Sequence, residues 1–483
     1  MLLIAVFSSI GVFAQTAGGI FEQGPEMQST RIAITMGSTS SGEIILFGGR
    51  AEGFISSPYA DIFDPETQTF TNVNMLYPHD NAIVIRTSDD LFFVAGGGYD
   101  WGVPAYAHVE WFDPETRLFT DGGSLLYPRM QGNGTELTSG KLLIVGGWYD
   151  PAAAANAELY DPATQISTAA GSLVNPRSSA LVLPCNDGGA VVLGGYPTYG
   201  GNCYPGAEYY DPNTNSFSTL YTELVPLMPG YTTAFDNANK EVSSLYRMPD
   251  GKYVFLVWRT DPVLEYGIMT FDPESKQFSI IPLDASLMGT YTDAGILELC
   301  INQEEGLAYV LGLDAESSLM GMALVTVDLQ SGKVYAPDMV FTMPDGKYMM
   351  YGNMVYIPSM GKILYAGIST SAADYFHATT GTYLITPDYT VDVPMPEIEP
   401  ICQVYPNPSQ GIVEVYMEVA QPSSFIFTIT DISGRSMCDE IRHAAVEGAF
   451  RWRLDMQDFP AGSYNLLISS EHMQLTKRIV IVD

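Results

Sequence analysis

Positive charge is scarce in this 483-residue sequence: 21 Lys and Arg stand against 55 Asp and Glu, a formal charge of −34. Such a surface repels phosphate backbones and anionic lipid, which argues against nucleic acid as a partner. The excess suits solubility in a salty exterior, or a surface for a cation or a basic partner. Cysteine is also rare. Cys185, Cys203, Cys300, Cys402 and Cys438 form no CxxC pair and no metal-finger spacing, and in an oxidising compartment an odd count leaves at least one thiol. Cys185 and Cys203 flank one expected hairpin, so they are either a local bridge or two buried thiols. The five histidines, His79, His108, His377, His443 and His472, have no neighbour at metal-ligand spacing, so no metal site and no catalytic residue is expected, and any cofactor stays unknown.

Long apolar runs are missing too. Leu2 to Ala14 is too short to span a bilayer but suits a cleaved signal peptide over residues 1–14, ending at Val12-Phe13-Ala14; no Lys or Arg precedes it. No later stretch reaches membrane-span length, so no transmembrane span is expected.

What the sequence does contain is turn-forming and aromatic: 46 Gly, 31 Pro and 12% Phe, Trp and Tyr, a composition suited to an all-β protein. Its length asks for two domains, or one repetitive domain with an appendage. A repeat is present. "EIILFGG" at 43, "LFFVAGG" at 91, "KLLIVGG" at 141 and "AVVLGG" at 190 each lead, through a polar loop, into "ADIFDPETQTF", "HVEWFDPETRLF", "AELYDPATQIS" and "AEYYDPNTNSF". Glycine pairs recur every 48 to 50 residues, with Asp64, Asp113, Asp161 and Asp211 in step. A period near fifty with several short strands per unit points to a β-propeller. Later copies are worn: "MTFDPESKQF" keeps the turn while Val257 and Trp258 replace the glycine pair, and units near 306 and 361 lack the Asp-Pro step. Seven blades result, or six if the last unit is split to close the ring.

Glycine pairs at the end of a buried strand allow positive φ and close backbone approach. Asp followed by Pro fits the first two positions of a type I turn, which makes the acid a turn cap rather than a chemical group. Arg31, Arg129 and Arg177 precede the first strands, and Asp61, Glu110, Glu158 and Glu208 precede the aromatic-Asp-Pro turns. They are either charges around a pore or structural ion pairs that set blade register, and the second fits better. The apolar run with Gly-Gly, then an aromatic, Asp-Pro and a second aromatic, resembles the Kelch repeat over residues 20 to 395. It departs from that pattern where Phe70, Phe119 and Phe217 replace the closing Trp, and where the third unit has Ser167. The resemblance implies a Kelch-like propeller over residues 15–395, a fold that carries binding platforms and enzymes alike.

After "VDVPMPEIEP" the repeat stops, and residues 396–402 read as a linker. Alternating apolar segments separated by Asn-Pro, Ser-Gly and Ala-Gly turns suggest a small C-terminal β-sandwich over 403–483. Tyr405-Pro406-Asn407-Pro408, Asp431 to Arg435, Gly462-Ser463-Tyr464 and Lys477 to Ile481 stand in the order of the type A C-terminal sorting domain of the Bacteroidetes type IX secretion system, which this segment resembles. The resemblance implies engagement of the type IX machinery through Tyr405, Pro406, Asn407, Pro408, Gly462, Tyr464 and Lys477. It further implies passage through the outer membrane and release or attachment at the cell surface.

For the propeller itself, no segment supplies the two Tyr, two His and linked Cys of copper-radical oxidases in the wider family. Lyases or epimerases of acidic sugars would need converging Arg, Tyr and His, for which Arg129, Arg177 and His79 are available. The loops after the glycine pairs are richer. They hold Tyr99, Asp100, Trp101, Trp148, Tyr149, Asp150, Tyr196 and Tyr199, and equivalent propeller loops emerge on one face. Aromatic rings stack on sugars or peptide side chains and carboxylates bind hydroxyls, so these eight are the candidate site for an extracellular glycan or protein. The competing reading is that they pack their own loops. The sequence thus points to a noncatalytic binding or adhesion module, with a carbohydrate-active enzyme at the central mouth as the alternative.

Overall fold

The computed structural model describes residues 19–387 and 402–482, apart from 33, 52–54, 99–104, 149, 198–202, 225–231, 234–245, 260–264, 284–297, 315–320, 336–340, 343–351, 369–377, 406–408, 410, 432–434, 436, 438–440, 458 and 470–473. The expected signal peptide and most of the linker lie outside the described residues. Among those described, every regular element is a β-strand except one short helix, Pro151–Ala155. The chain divides into two compact units, 1–391 and 392–483.

The first unit is a series of antiparallel meanders. The first sheet is Thr35–Ser38, Ile44–Phe47, Tyr59–Asp64 and Thr69–Asn74; the second is Ile83–Arg86, Phe92–Ala95, His108–Asp113 and Leu118–Ser124. The third is Asn133–Glu136, Leu142–Val145, Asn156–Asp161 and Ile166–Ser172, and the fourth is Leu181–Pro184, Ala190–Leu193, Ala207–Asp211 and Ser216–Tyr221. The apolar runs of the repeat are the second strands, buried at all four positions in each sheet. Strands covered on both faces read as continuous hydrophobic runs rather than alternating ones. Outer strands such as Thr69–Asn74 are mostly exposed, with Phe70 turned into the core.

The second and third meanders join through a single parallel pairing, Ser124 with Ile166, making an eight-stranded sheet. Its end strands, Asn133–Glu136 and Ile83–Arg86, approach one another, so this sheet nearly closes on itself. Gly134 permits that approach, since a Cβ there would lie 2.9 Å from Ile85.

Packing proceeds from sheet to sheet. Phe47 and Phe92, 5.2 Å apart between ring centroids, join the first sheet to the second. Ile85 with Ile144, Val145 with Val192, and Val191 with Phe255 continue through the third and fourth sheets to a fifth. Ile268, Val310 and Tyr365 share one core across the fifth, sixth and seventh. Leu364 then packs with Leu46 of the first sheet, so the succession returns to its start. Each fully buried Leu, Val or Phe contributes roughly 1.5–3 kcal/mol. The N-terminal strand Gly19–Gln23 completes the last sheet, paired antiparallel with Tyr383–Pro387.

The worn repeats keep their sheets but change their strands. Where Val257 and Trp258 replace the glycine pair, the strand runs on over Tyr253–Arg259, and Val257 pairs with Gly267. In the next sheet Leu307–Asp314 extends to eight residues for the same reason: nothing forces the chain out of β conformation. The turn is less worn than its sequence implies. Asp328 accepts from the Gln330 and Ser331 backbone N–H groups at 2.8 and 3.1 Å, with Gly332 at φ 71°, so the acid cap survives in the sixth unit without its proline.

The second unit is one five-stranded sheet: Cys402–Tyr405, Ile412–Asp431, Ile441–Asp455, Gly462–Ser469 and Gln474–Ile481. The long second strand pairs through Val415 with Val404 and through Thr428 with Leu467. Register shifts between Val419 and Phe425 separate the two halves. Val413 and Val415 from one half share a core with Phe427 and Ile429 from the other, which shows the sheet folded over itself.

Candidate functional site

The recurring charges are buried ion pairs. Arg31 meets Asp61 at 2.6 Å and Arg129 meets Glu158 at 2.8 Å, all four side chains fully buried; Arg177 pairs with Glu208 likewise. Each arginine also donates from Nη1 to the first glycine carbonyl of its own pair: Gly48 at 3.1 Å, Gly146 at 2.5 Å and Gly194 at 2.9 Å. The glutamates accept in turn from backbone, Glu158 from Leu126 N–H at 2.6 Å and Glu208 from Val174 N–H at 2.8 Å. Burial pulls the Arg129 guanidinium down from its ordinary value, with Glu158 opposing.

Sequence reading missed the fourth member. His79 stands where the other units have arginine: Nδ1 lies 2.7 Å from the Gly96 carbonyl oxygen and Nε2 lies 3.0 Å from Glu110. The signal was there, since His79 follows Tyr77-Pro78 as Arg129 follows Tyr127-Pro128. These groups also link neighbouring units. Gly49, Gly97 and Gly147 donate to the carbonyls of His79, Arg129 and Arg177 in the following unit, at 2.8, 2.6 and 3.1 Å. A Cβ on Gly48 would overlap the His79 carbonyl oxygen, so glycine is required there. Arg129, Arg177 and His79 are therefore committed to the frame. They do not converge on a sugar carboxylate.

Of the eight loop residues, Tyr99, Asp100, Trp101, Tyr149 and Tyr199 lie outside the described residues. The other three are anchored in a common neighbourhood. Trp148 follows Gly147, whose N–H is bonded to Arg177, and Tyr196 exchanges backbone hydrogen bonds of 2.9 and 3.0 Å with Ser178. Both rings are half-buried. Asp150 is the N-cap of Pro151–Ala155, accepting from Ala152 N–H at 2.8 Å, so one carboxylate oxygen already serves the backbone. Further rings cluster in the same kind of loop. Tyr77 stacks on exposed His108 at 4.1 Å and 4°, Tyr106 lies 6.0 Å from His108, and the Tyr204 ring covers Arg177 at 4.7 Å.

Cys185 and Cys203 are both thiols, so the suggested local bridge is not formed. Among the described residues no group of three His, Cys, Asp or Glu side chains is placed to hold a metal ion. His377 lies outside them.

In the tail, Tyr405 ends the strand Cys402–Tyr405, while Pro406, Asn407 and Pro408 lie outside the described residues. Gly462 opens the strand Gly462–Ser469. Tyr464 is buried two residues on, donating from its hydroxyl to the Pro460 carbonyl at 2.6 Å. Lys477 pairs with Leu466 across the sheet.

No curated protein matches the sequence. Among solved structures the chain is similar to a fungal alcohol oxidase of the AA5 family in complex with copper. The match has 14% identity and a TM-score of 0.54, covering 97% of this chain and 100% of that one. At that identity the likeness concerns the fold alone. No helix among the described residues is long and apolar enough to cross a membrane. Residues 403–482 match the secretion system C-terminal sorting domain family, so the tail is a sorting domain that directs the chain to secretion or attachment at the cell surface.

Proposed function

We propose that residues 15–395 form a seven-bladed Kelch-like propeller serving as a noncatalytic binding or adhesion module, delivered by its tail through the type IX machinery to meet an extracellular glycan or protein. The closed succession of sheet packing supports the propeller, with Leu364 of the last sheet against Leu46 of the first. The observation that carries the binding reading is the backbone anchoring of two loop aromatics: Trp148 N–H donates to the Met130 carbonyl at 2.8 Å, just after Gly147 N–H has bonded Arg177, and Tyr196 is bonded to Ser178. Two half-buried aromatic side chains on rigidly bonded backbone offer stacking faces at small entropic cost. Arg129, Arg177 and His79, which could have contributed to the rival enzyme site, are engaged in buried pairs.

A glycan array probed with the full chain tests the proposal, repeated with Trp148→Ala and Trp101→Ala. Loss of signal in these variants is expected. Unchanged binding in both would remove the aromatic face from consideration, and turnover of a bound glycan would favour the enzyme.

A further inference from the structure

Two hollows, of about 670 and 510 Å³, are lined by inner-strand ends and by the turns that join first and second strands. These turns lie at the opposite end of the strands from the glycine pairs. Arg86, at the end of Ile83–Arg86, and Arg247, in the two-residue strand Tyr246–Arg247, line both hollows. Two guanidinium groups beside concave space stand out in a chain of charge −34.

Neither arginine belongs to the buried frame. Arg86 is 35% exposed and donates from Nε to Asp90 at 2.6 Å, and Asp90 is itself held by the Ser40 N–H and hydroxyl at 3.0 and 2.6 Å. That chain of bonds from the neighbouring sheet fixes the Arg86 fork while using only its Nε. Neither Nη bonds any described residue. Arg247 is exposed and lies 5.9 Å from the Tyr253 ring, and among the described residues no carboxylate pairs with it.

Apart from Glu304, the rest of the lining is uncharged or already bonded. Glu136 spends both oxygens on Ser88, accepting from its N–H at 2.7 Å and its hydroxyl at 3.0 Å. Glu304 is exposed in the smaller hollow, whose lining also holds Thr39, while Thr87 lines the larger one.

We propose that this mouth binds an acidic sugar, with Arg86 and Arg247 holding its carboxylate or sulfate and Glu304 with the lining hydroxyls bonding its hydroxyl groups. Planar guanidinium forks match the two oxygens of an acid group, and hollows of this size suit one or a few sugar rings. A polyanion such as an acidic peptide fits less well, since the acidic surface repels it at long range while one acid group feels mainly the cations within a Debye length of about 8 Å. The site is separate from the Trp148 loop and does not rest on it.

The full chain is titrated calorimetrically with tri-galacturonate, with its methyl ester, and with a chondroitin sulfate tetrasaccharide to distinguish carboxylate from sulfate. At least one acidic oligosaccharide is expected to bind. Should tri-galacturonate bind, its ester is expected to be at least tenfold weaker. Arg247→Gln, whose one ring contact is Tyr253, should weaken the acid by about tenfold with an unchanged melting temperature. Arg86→Gln should do the same, and Arg86→Lys should retain part of the affinity. Trp148→Ala should leave this binding intact. Equal affinity for acid and ester, full affinity in the folded Arg86→Gln/Arg247→Gln variant, or no binding of either acidic oligosaccharide would overturn the proposal.

Discussion

His79 Nε2 lies 3.0 Å from Glu110 Oε1, and through this contact a histidine does in the second sheet what arginine does in three others. Both ring nitrogens face acceptors, the Gly96 carbonyl and the Glu110 carboxylate. Removing the ring strands a fully buried carboxylate. His79→Ala is expected to cost about 3–5 kcal/mol, measured by urea unfolding. His79→Arg should cost less, because arginine spans the same glycine and acid in the neighbouring sheets.

Arg129 and Glu158 are mutually dependent. Either alanine substitution alone should destabilise by about 3–5 kcal/mol, because the partner is left buried and uncompensated. The double substitution should cost well under the sum of the two. An additive result in a double-mutant cycle would show that the pair does not act as a unit.

Asp64 in "FDPETQTF" accepts from the Glu66 N–H at 2.8 Å and from the Thr67 hydroxyl at 2.9 Å. The backbone N–H groups of Glu66, Asn213 and Glu274 hold the Asp64, Asp211 and Asp272 carboxyls below their ordinary values. A depressed folded value means stability that is present above the ordinary carboxylate range and is lost as pH falls through the folded values. Thermal melts taken from about pH 5 down to about pH 2 should show this loss. Asp64→Ala should flatten it slightly.

Gly97, at φ 76°, has the Asp80 carbonyl oxygen 2.6 Å from where a Cβ would stand. Gly97→Ala therefore meets both backbone strain and a rigid backbone neighbour. The expected loss exceeds in size the ~0.4–1 kcal/mol by which such a replacement stabilises at an unstrained site. Gly140→Ala, at φ 77° with open space around it, isolates the strain from the clash. Comparable losses in the two variants would refute the close-approach argument.

Cys185 is buried, and burial pushes its thiol up to about 12. It should resist alkylation by iodoacetamide at neutral pH in the native protein and react on unfolding, since the thiolate is the nucleophile. Mass mapping of labelled cysteines reads this directly.

The all-β class, the repeat period and the sorting tail were legible because each depends on local chemistry. Apolar runs mark strands covered on both faces, Asp-Pro marks a turn, and the tail's motifs occur in a fixed order within eighty residues. Local reading failed where the structural requirement is met by a different residue type. Val257 sits inside a longer strand in place of a glycine break, Asp328 caps a turn without proline, and His79 replaces arginine.

The sequence by itself determined where strands and turns fall, since a two-residue alternation and a capped turn are encoded within a few neighbours. Only the tertiary structure decided which charges are enclosed in the frame. Arg129 and Arg177 are as conspicuous in the sequence as Arg86 and Arg247. Yet the first two are enclosed by carboxylates and carbonyls from residues 17 to 31 positions away. The second two stand over open hollows at the ends of inner strands. Burial and partnership arise from contacts distant in sequence, and they separate a residue that holds the frame from one that can meet a ligand.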